Sequence, residues 1–329
     1  MTADRPVHVK AAPGPNVPVE ILRHIVSYLS TSTLPSVMRT SKVMHDIAAL
    51  YLYRVIQIPP EPSAGGKHNE LTPAPRYVSL ARRLEIHAKP RPIPKLWATC
   101  SPRVVRVDDK IRIARYFDYG HLESIVIDPL RSSSSKTDRW RWMREKSLRM
   151  TYICTNPLDL FRPIILPDRR TPPDPRIGPQ TKSLTIIFAP TLKRRGQRTV
   201  VAICPVLRKR LSWLEVIARY LCALPPDIPV TLVGLTEYER QRSRVIYHSA
   251  QVAFEMIQQG IADQVTAVCE MHGRKEDDAA ILKRLRLLDM RTWVEEELDE
   301  ADISKAEART WVTHVGLATS RRSFRSWRS

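Results

Sequence analysis

Short apolar, β-branched runs separated by long connections constrain this chain more than any other feature. In the last third, Thr199–Cys204, Pro229–Gly234 and Gln264–Cys269 are such runs, with helical patterns after each of them. Antiparallel strands can be joined by two residues, whereas parallel strands need a crossover, usually a helix. The alternation therefore predicts parallel βαβ units. Trp213, Leu214, Ile217, Tyr220, Leu221 and Leu224 fall on one face of the first crossover helix. Ser212 and Glu215 form a capping box at its start, and Pro225-Pro226 stop it. Thr236 and Glu239 repeat that signature for a second helix, which Gly260 is placed to end as a left-handed cap. A third helix is expected from about Glu276 to Glu297. Further strand-like runs occur at Arg83–His87, Leu122–Ile127, Met150–Cys154 and Ser183–Phe188, too unevenly spaced for a repeat period. Ser132–Ser135 and the Pro-dense Pro163–Pro179 read as loops.

The N-terminal fifth has a different pattern. After a Pro-containing lead over residues 1–15, Ile21, Leu22, Ile25, Val26 and Leu29 recur at helical spacing behind Pro18. Leu34, Val37 and Met38 form a second apolar face after Thr31-Ser32-Thr33, and Met44, Ile47, Ala48, Tyr51 and Leu52 a third. Three short helices in about forty residues cannot bury all their apolar positions internally, and domains of this size usually need outside help. Residues 59–75, rich in Pro, Gly, Ser and Ala, read as a linker to an α/β domain over 76–318, with a basic tail at 319–329.

This N-terminal pattern resembles the F-box domain, in the form common among large fungal F-box families. The resemblance rests on Val17-Pro18-Val19-Glu20-Ile21-Leu22, Ile25, Tyr28-Leu29, Leu34, Arg39, Ser41-Lys42, Ile47-Ala48 and Leu52-Tyr53-Arg54. It departs from the family at Val17, where Leu is usual, at Thr33, where an acid is often found, and at Val43-Met44-His45, which lacks the typical Trp. The resemblance implies a helical module, residues 16–58, that docks on a Skp-type adaptor of a cullin ubiquitin ligase. The adaptor-binding set it implies is Pro18, Ile21, Leu22, Ile25, Leu29, Leu34, Val37 and Met38. The remainder resembles, in layout, the domain that follows the F-box in those proteins: α/β, with an irregular leucine-rich-repeat-like arrangement as one form, presenting an unknown protein target. The function so implied is substrate recognition for ubiquitination, with no catalysis, no catalytic residue, no cofactor and no metal.

Charge raises a rival. The chain holds 53 Lys and Arg against 34 Asp and Glu, a formal charge of +19. Residues 60–210 hold 31 basic and 13 acidic side chains, a net of +18, so the excess lies in the middle of the chain. Such a field attracts polyanions or an acidic partner. Arg139-Trp140-Arg141-Trp142 with Arg144, Lys146 and Arg149, Lys193-Arg194-Arg195, Arg208-Lys209-Arg210 and the Arg-rich stretch from Arg321 to Arg328 would suit nucleic acid, yet no zinc-finger, RRM or KH signature accompanies them. Nucleic-acid binding through the basic middle region is thus the alternative function. An α/β enzyme is the lesser one. It would use Glu237 and Glu270-Met271-His272 at a crevice beyond the strand ends, but with 10 Gly the chain shows no Gly-x-Gly-x-x-Gly, phosphate loop or Gly-x-Ser-x-Gly elbow. Cys269 and His272 have metal-like spacing without a second pair. The acidic run Glu295-Glu296-Glu297 with Asp299, Glu300 and Asp302 reads as a solvated helix end. Five scattered cysteines, no signal-peptide core and no membrane-length apolar run predict a reduced protein of the cytoplasm or nucleus, without membrane contact.

Overall fold

A computed structural model describes residues 17–30, 32–58, 75–86, 100–107, 120–130, 144–154, 177–189, 213–242, 249–274, 277–298 and 302–314. These fall into two compact units divided between Val55 and Ile56.

The first unit is built from α1 (Val19–Ser27), α2 (Leu34–Val37) and α3 (Lys42–Leu52), the three helices that the periodicity predicts. Ser41 caps α3, its hydroxyl accepting the Met44 amide at 3.2 Å. The Pro18 carbonyl accepts from the Ile21 and Leu22 amides, so the proline stands just outside α1 and not within its first turn. Val26, Leu34, Ile47 and Ala48 are the buried centre, with Leu22, Leu29, Val37, Met38, Met44, Tyr51 and Leu52 packed around it. Tyr51 Oη donates to the Arg23 carbonyl at 3.2 Å and ties α3 to α1.

The second unit is a parallel sheet with helices between its strands, the predicted α/β class. Among the described residues the sheet has eight strands in sequential order. They are β1 (Val55–Ile58), β2 (Arg83–Ile86), β3 (Val104–Val107), β4 (Ser124–Leu130), β5 (Arg149–Cys154), β6 (Ser183–Phe188), β7 (Val230–Val233) and β8 (Leu285–Leu288). Neighbours from β2 to β8 pair in parallel, in rows such as Leu84–Val105–Ile125–Met150–Leu184–Val230–Leu285. That row and the next but one, through Ile86, Val107, Ile127, Tyr152, Ile186 and Leu232, face one core. The core is closed by α5 (Trp213–Ala223), α7 (Ala250–Met271) and α8 (Asp278–Lys283). Between them α6 (Leu235–Arg242) follows β7, and α4 (Pro75–Val78) precedes β2. The opposite face carries Val104, Val126, Ile153, Ile187 and Val233. It is covered by α9 (Met290–Thr292), a π-turn (Trp293–Glu297), and a helix over 305–314 that contributes Ala308 and Trp311. Burial on both faces explains unbroken apolar runs such as Ile125-Val126-Ile127 and Ile186-Ile187-Phe188.

Several expected elements are different. Gln264–Cys269 is not a strand but the last third of α7, because Ile257, Ile261, Val265 and Val268 form a buried stripe at helical spacing that outweighs β-branching. Gly260 does not cap a helix; it sits inside α7, where an added Cβ would stand 2.9 Å from Leu214 Cδ1. It lets α7 approach α5 closely. The helix expected over Glu276–Glu297 is broken into α8, β8, α9 and the π-turn, with Leu285–Leu288 completing the sheet. Asp302 is buried and pairs with Arg149 at 3.6 Å, not solvated as the acidic run suggested, whereas Glu295 and Glu296 are exposed. The run Thr199–Cys204, Ser212, residues 1–15, the linker stretch up to residue 74, and the basic tail lie outside the described residues.

Polar residues on β2 and β3 are buried as well. Arg83, Glu85 and Arg106 are each about as covered as the apolar core, and Glu85 pairs with both arginines. Arg106 donates a fork to Glu307, at 2.6 and 2.7 Å, and also pairs with Asp128. Burial opposes its charge, but the Glu307 hydrogen bonds and the Asp128 charge outweigh it and hold the guanidinium pKa above its ordinary value. This pins the 305–314 helix to the sheet.

Candidate protein-interaction surface

Helix α1 carries two apolar stripes. At 100° per residue, Ile21, Ile25 and Tyr28 lie within about 60° of arc, while Leu22, Val26 and Leu29 centre about 100° away. The second stripe supplies the bundle core, where Val26 is 1% exposed. The first does not: Ile21 and Ile25 are each 51% exposed and Tyr28 76%. Val17 and Pro18, just before the helix, extend the exposed face. Tyr28 is held there by His24, edge to face with a 5.0 Å centroid distance and an Oη–Nε2 contact of 3.4 Å.

The eight residues expected to bind an adaptor therefore divide by position. Pro18, Ile21 and Ile25 point outward. Leu22, Leu29, Val37 and Met38 are half-buried and shared with the core. Leu34 is 2% exposed and belongs to the core. Sequence reasoning left out exposed apolar residues that the structure adds, Val43 and Leu50 on α3 besides Tyr28. Their signal is spacing: Val43 and Leu50 are seven apart, two helical turns, and flank Ile47 at the edge of the core face.

A comparison with protein families now bears on this surface. Residues 15–58 match the F-box-like family model. The N-terminal bundle is an F-box-like domain. F-box domains are in general non-catalytic protein-interaction modules. No curated protein matches the chain, and no solved structure does.

The rival sites fare differently. A crevice of about 430 Å³ does open beyond β7 and β8, lined among others by Thr236, Glu237, Gln251, Phe254, Asp289 and Val312. Glu237 Oε1 accepts the Met290 amide at 2.9 Å, and burial pushes its carboxyl pKa upward. Asp289 is committed to capping α9, accepting from the Arg291 and Thr292 amides and the Thr292 hydroxyl. Both carboxylates thus hold helix ends in place. Glu270 and His272 are not at that crevice; they sit at the far end of α7, which is helical where a strand was expected. Among the described residues no group of three or more His, Cys, Asp or Glu is placed to hold a metal. Cys269 is buried with its Sγ 3.8 Å from that of Cys222. The stretches Arg139–Trp142, Lys193–Arg195 and Arg208–Arg210 lie outside the described residues; of the residues grouped with the first, Arg144 is buried, Arg149 pairs with Asp302 and Lys146 is exposed. No described helix is long and apolar enough to cross a membrane.

Proposed function

We propose that the chain is a non-catalytic substrate-recognition adaptor: its F-box-like domain docks on a Skp-type subunit of a cullin ubiquitin ligase, and its α/β unit presents a target protein. The observation that supports it most is the exposed first stripe of α1. A bundle whose core is already closed by Val26, Leu34, Ile47 and Ala48 still exposes Ile21, Ile25 and Tyr28 in one row. Exposed apolar rows of this kind are rarely kept without a partner. Pro18, Ile21 and Ile25 would be the contact anchors, with Leu22, Leu29, Val37 and Met38 contributing their exposed edges and Leu34 holding the bundle shape. Ubiquitin transfer would then depend on proximity, and no residue of this chain would perform chemistry.

The layout of the α/β unit fits the kind of domain that follows the F-box in the large fungal families. A sequential parallel sheet gives each strand end and loop a distinct place along one edge, as a recognition surface requires. Residues 59–75 would be the linker, 76–318 the recognition domain, and the site of action the cytoplasm or nucleus. The test is co-purification of the full chain with a Skp-type adaptor. Recovery of adaptor by the native chain and its loss on polar substitution of Ile21 and Ile25 is the expected result. Equal recovery by both refutes the docking.

A further inference from the structure

Cys222 lies at the end of α5, and Cys269 lies in the last turn of α7, the two helices that cover the same face of the sheet. Their sulfur atoms are 3.8 Å apart. A disulfide has an S–S distance of about 2.05 Å, so roughly 1.7 Å of approach separates the thiol pair from a bond. The surrounding structure holds the pair together. Gly260 allows α7 to lie against Leu214 of α5. Arg274, just past α7, donates to the Cys222 carbonyl at 3.3 Å, and Arg284 donates to the carbonyls of Leu221, Leu224 and Pro225. These guanidinium groups satisfy the open carbonyls at the end of α5 and anchor it beside the end of α7.

We propose that Cys222 and Cys269 are an oxidisable dithiol, a modification site that closes to an intramolecular disulfide and clamps α5 to α7. With a disulfide oxidant such as oxidised glutathione the step balances. One protein thiolate attacks the oxidant, releasing one glutathione thiolate and leaving a mixed disulfide. The second protein thiolate then displaces the other glutathione. The protein loses two hydrogens as two protons and two electrons, and two glutathione thiols are formed. Diamide accepts the same two electrons and two protons at its N=N bond and becomes a hydrazine. Cys222 is the sulfur reached first, being 9% exposed against 2% for Cys269. Burial holds the Cys222 thiol up at about 12, and neighbouring Cys269 adds to it. The thiolate is therefore scarce at neutral pH, so the pair survives as thiols under mild conditions and closes faster as pH rises. The proposal concerns the α/β unit and stands apart from adaptor docking by the F-box-like domain.

The experiment treats the folded full chain with diamide at pH 7, 8 and 9, blocks remaining thiols with an alkylating agent, and maps unreduced peptides by mass spectrometry. A peptide pair joining Cys222 to Cys269, formed faster at each higher pH, is the expected product. Its formation should raise the melting temperature by roughly 5–15 °C, as for a disulfide closing a loop of this length, and a reductant should reverse it. Cys222→Ala and Cys269→Ala should each abolish the rise. The wild-type peptide map alone decides the matter should either variant fail to fold. Recovery of both residues as alkylated thiols after exhaustive treatment at pH 9 overturns the proposal. So does linkage of either cysteine to Cys100, Cys154 or Cys204 in equal yield, or a linked product that melts no higher than the thiol form.

Discussion

The two-stripe geometry of α1 makes its exposed apolar face separable from its folding face. Ile21→Asp with Ile25→Lys is the perturbation that uses this. Complete burial of an isoleucine is worth about 1.5–3 kcal/mol, and Ile21 and Ile25 have half of their surface still to cover. Docking would therefore gain about 1 kcal/mol from each, or about 2 kcal/mol together. Losing that gain weakens binding about 30-fold. Desolvating two charged groups against an apolar contact costs about 1–3 kcal/mol more for each, so a loss of 100-fold or more is expected. The bundle itself should be indifferent. Exposed substitutions usually stay within about 0.5 kcal/mol. An acid in the first turn of α1 with a base four residues later follows the helix dipole and forms a favourable i,i+4 pair. Leu34→Ala is the contrast, because truncating this buried leucine costs about 2–5 kcal/mol of fold stability. Circular-dichroism melts and adaptor titration by biolayer interferometry would be run on all three proteins. An affinity change below threefold in the exposed-face variant refutes the assignment of this face. A loss of stability matching that of Leu34→Ala refutes the separation of the stripes.

Three further outcomes follow from the α/β unit. Glu307→Ala removes the fork that neutralises Arg106 and should destabilise by about 1–3 kcal/mol, less than a fully buried pair because Glu307 keeps some solvent contact; urea unfolding checks it, and an unchanged midpoint would mean that Asp128 and Glu85 suffice. Gly234→Ala forces a side chain into φ +75° with its Cβ 3.0 Å from the Phe188 carbonyl oxygen, and should cost about 1–3 kcal/mol by the same measurement. Glu237 has a carboxyl pKa raised in the fold, so its contribution to stability is whole below the ordinary glutamate value and is lost as pH rises through the folded value. The melting temperature of Glu237→Gln should accordingly gain on the native chain between pH 4 and pH 8, and a difference independent of pH would show that the carboxyl ionises as freely folded as unfolded.

Much of the apolar surface of α1 was legible because helical spacing is a local property. Ile21, Ile25 and Leu29 stand out by periodicity alone. What spacing could not do was assign each residue to the bundle or to its outside, since α1 carries apolar residues over more than half its circumference. Leu34 shows the consequence: it reads as a surface anchor in sequence and is enclosed by α1 and α3 in the fold. Glu237 was legible at the crevice because it directly follows a strand end, whereas His272 was misplaced along with the false strand before it.

The sequence by itself determined the three N-terminal helices, the parallel α/β class, strands β2 and β4 to β7, and the buried face of α5. In each, the apolar period is long enough or the flanking stop signals strong enough to exclude the alternatives. Only the tertiary structure decided that Val104–Val107 and Leu285–Leu288 are strands: Leu285–Leu288 lies inside a run with helical spacing and Arg106 interrupts the apolar run of Val104–Val107, so the parallel neighbours they pair with supply the assignment. It also decided that Arg83, Glu85 and Arg106 lie inside. A charged residue is placed in water by default, and only partners brought together from distant points of the chain, Asp128 and Glu307 among them, supply the opposite charge that burial demands.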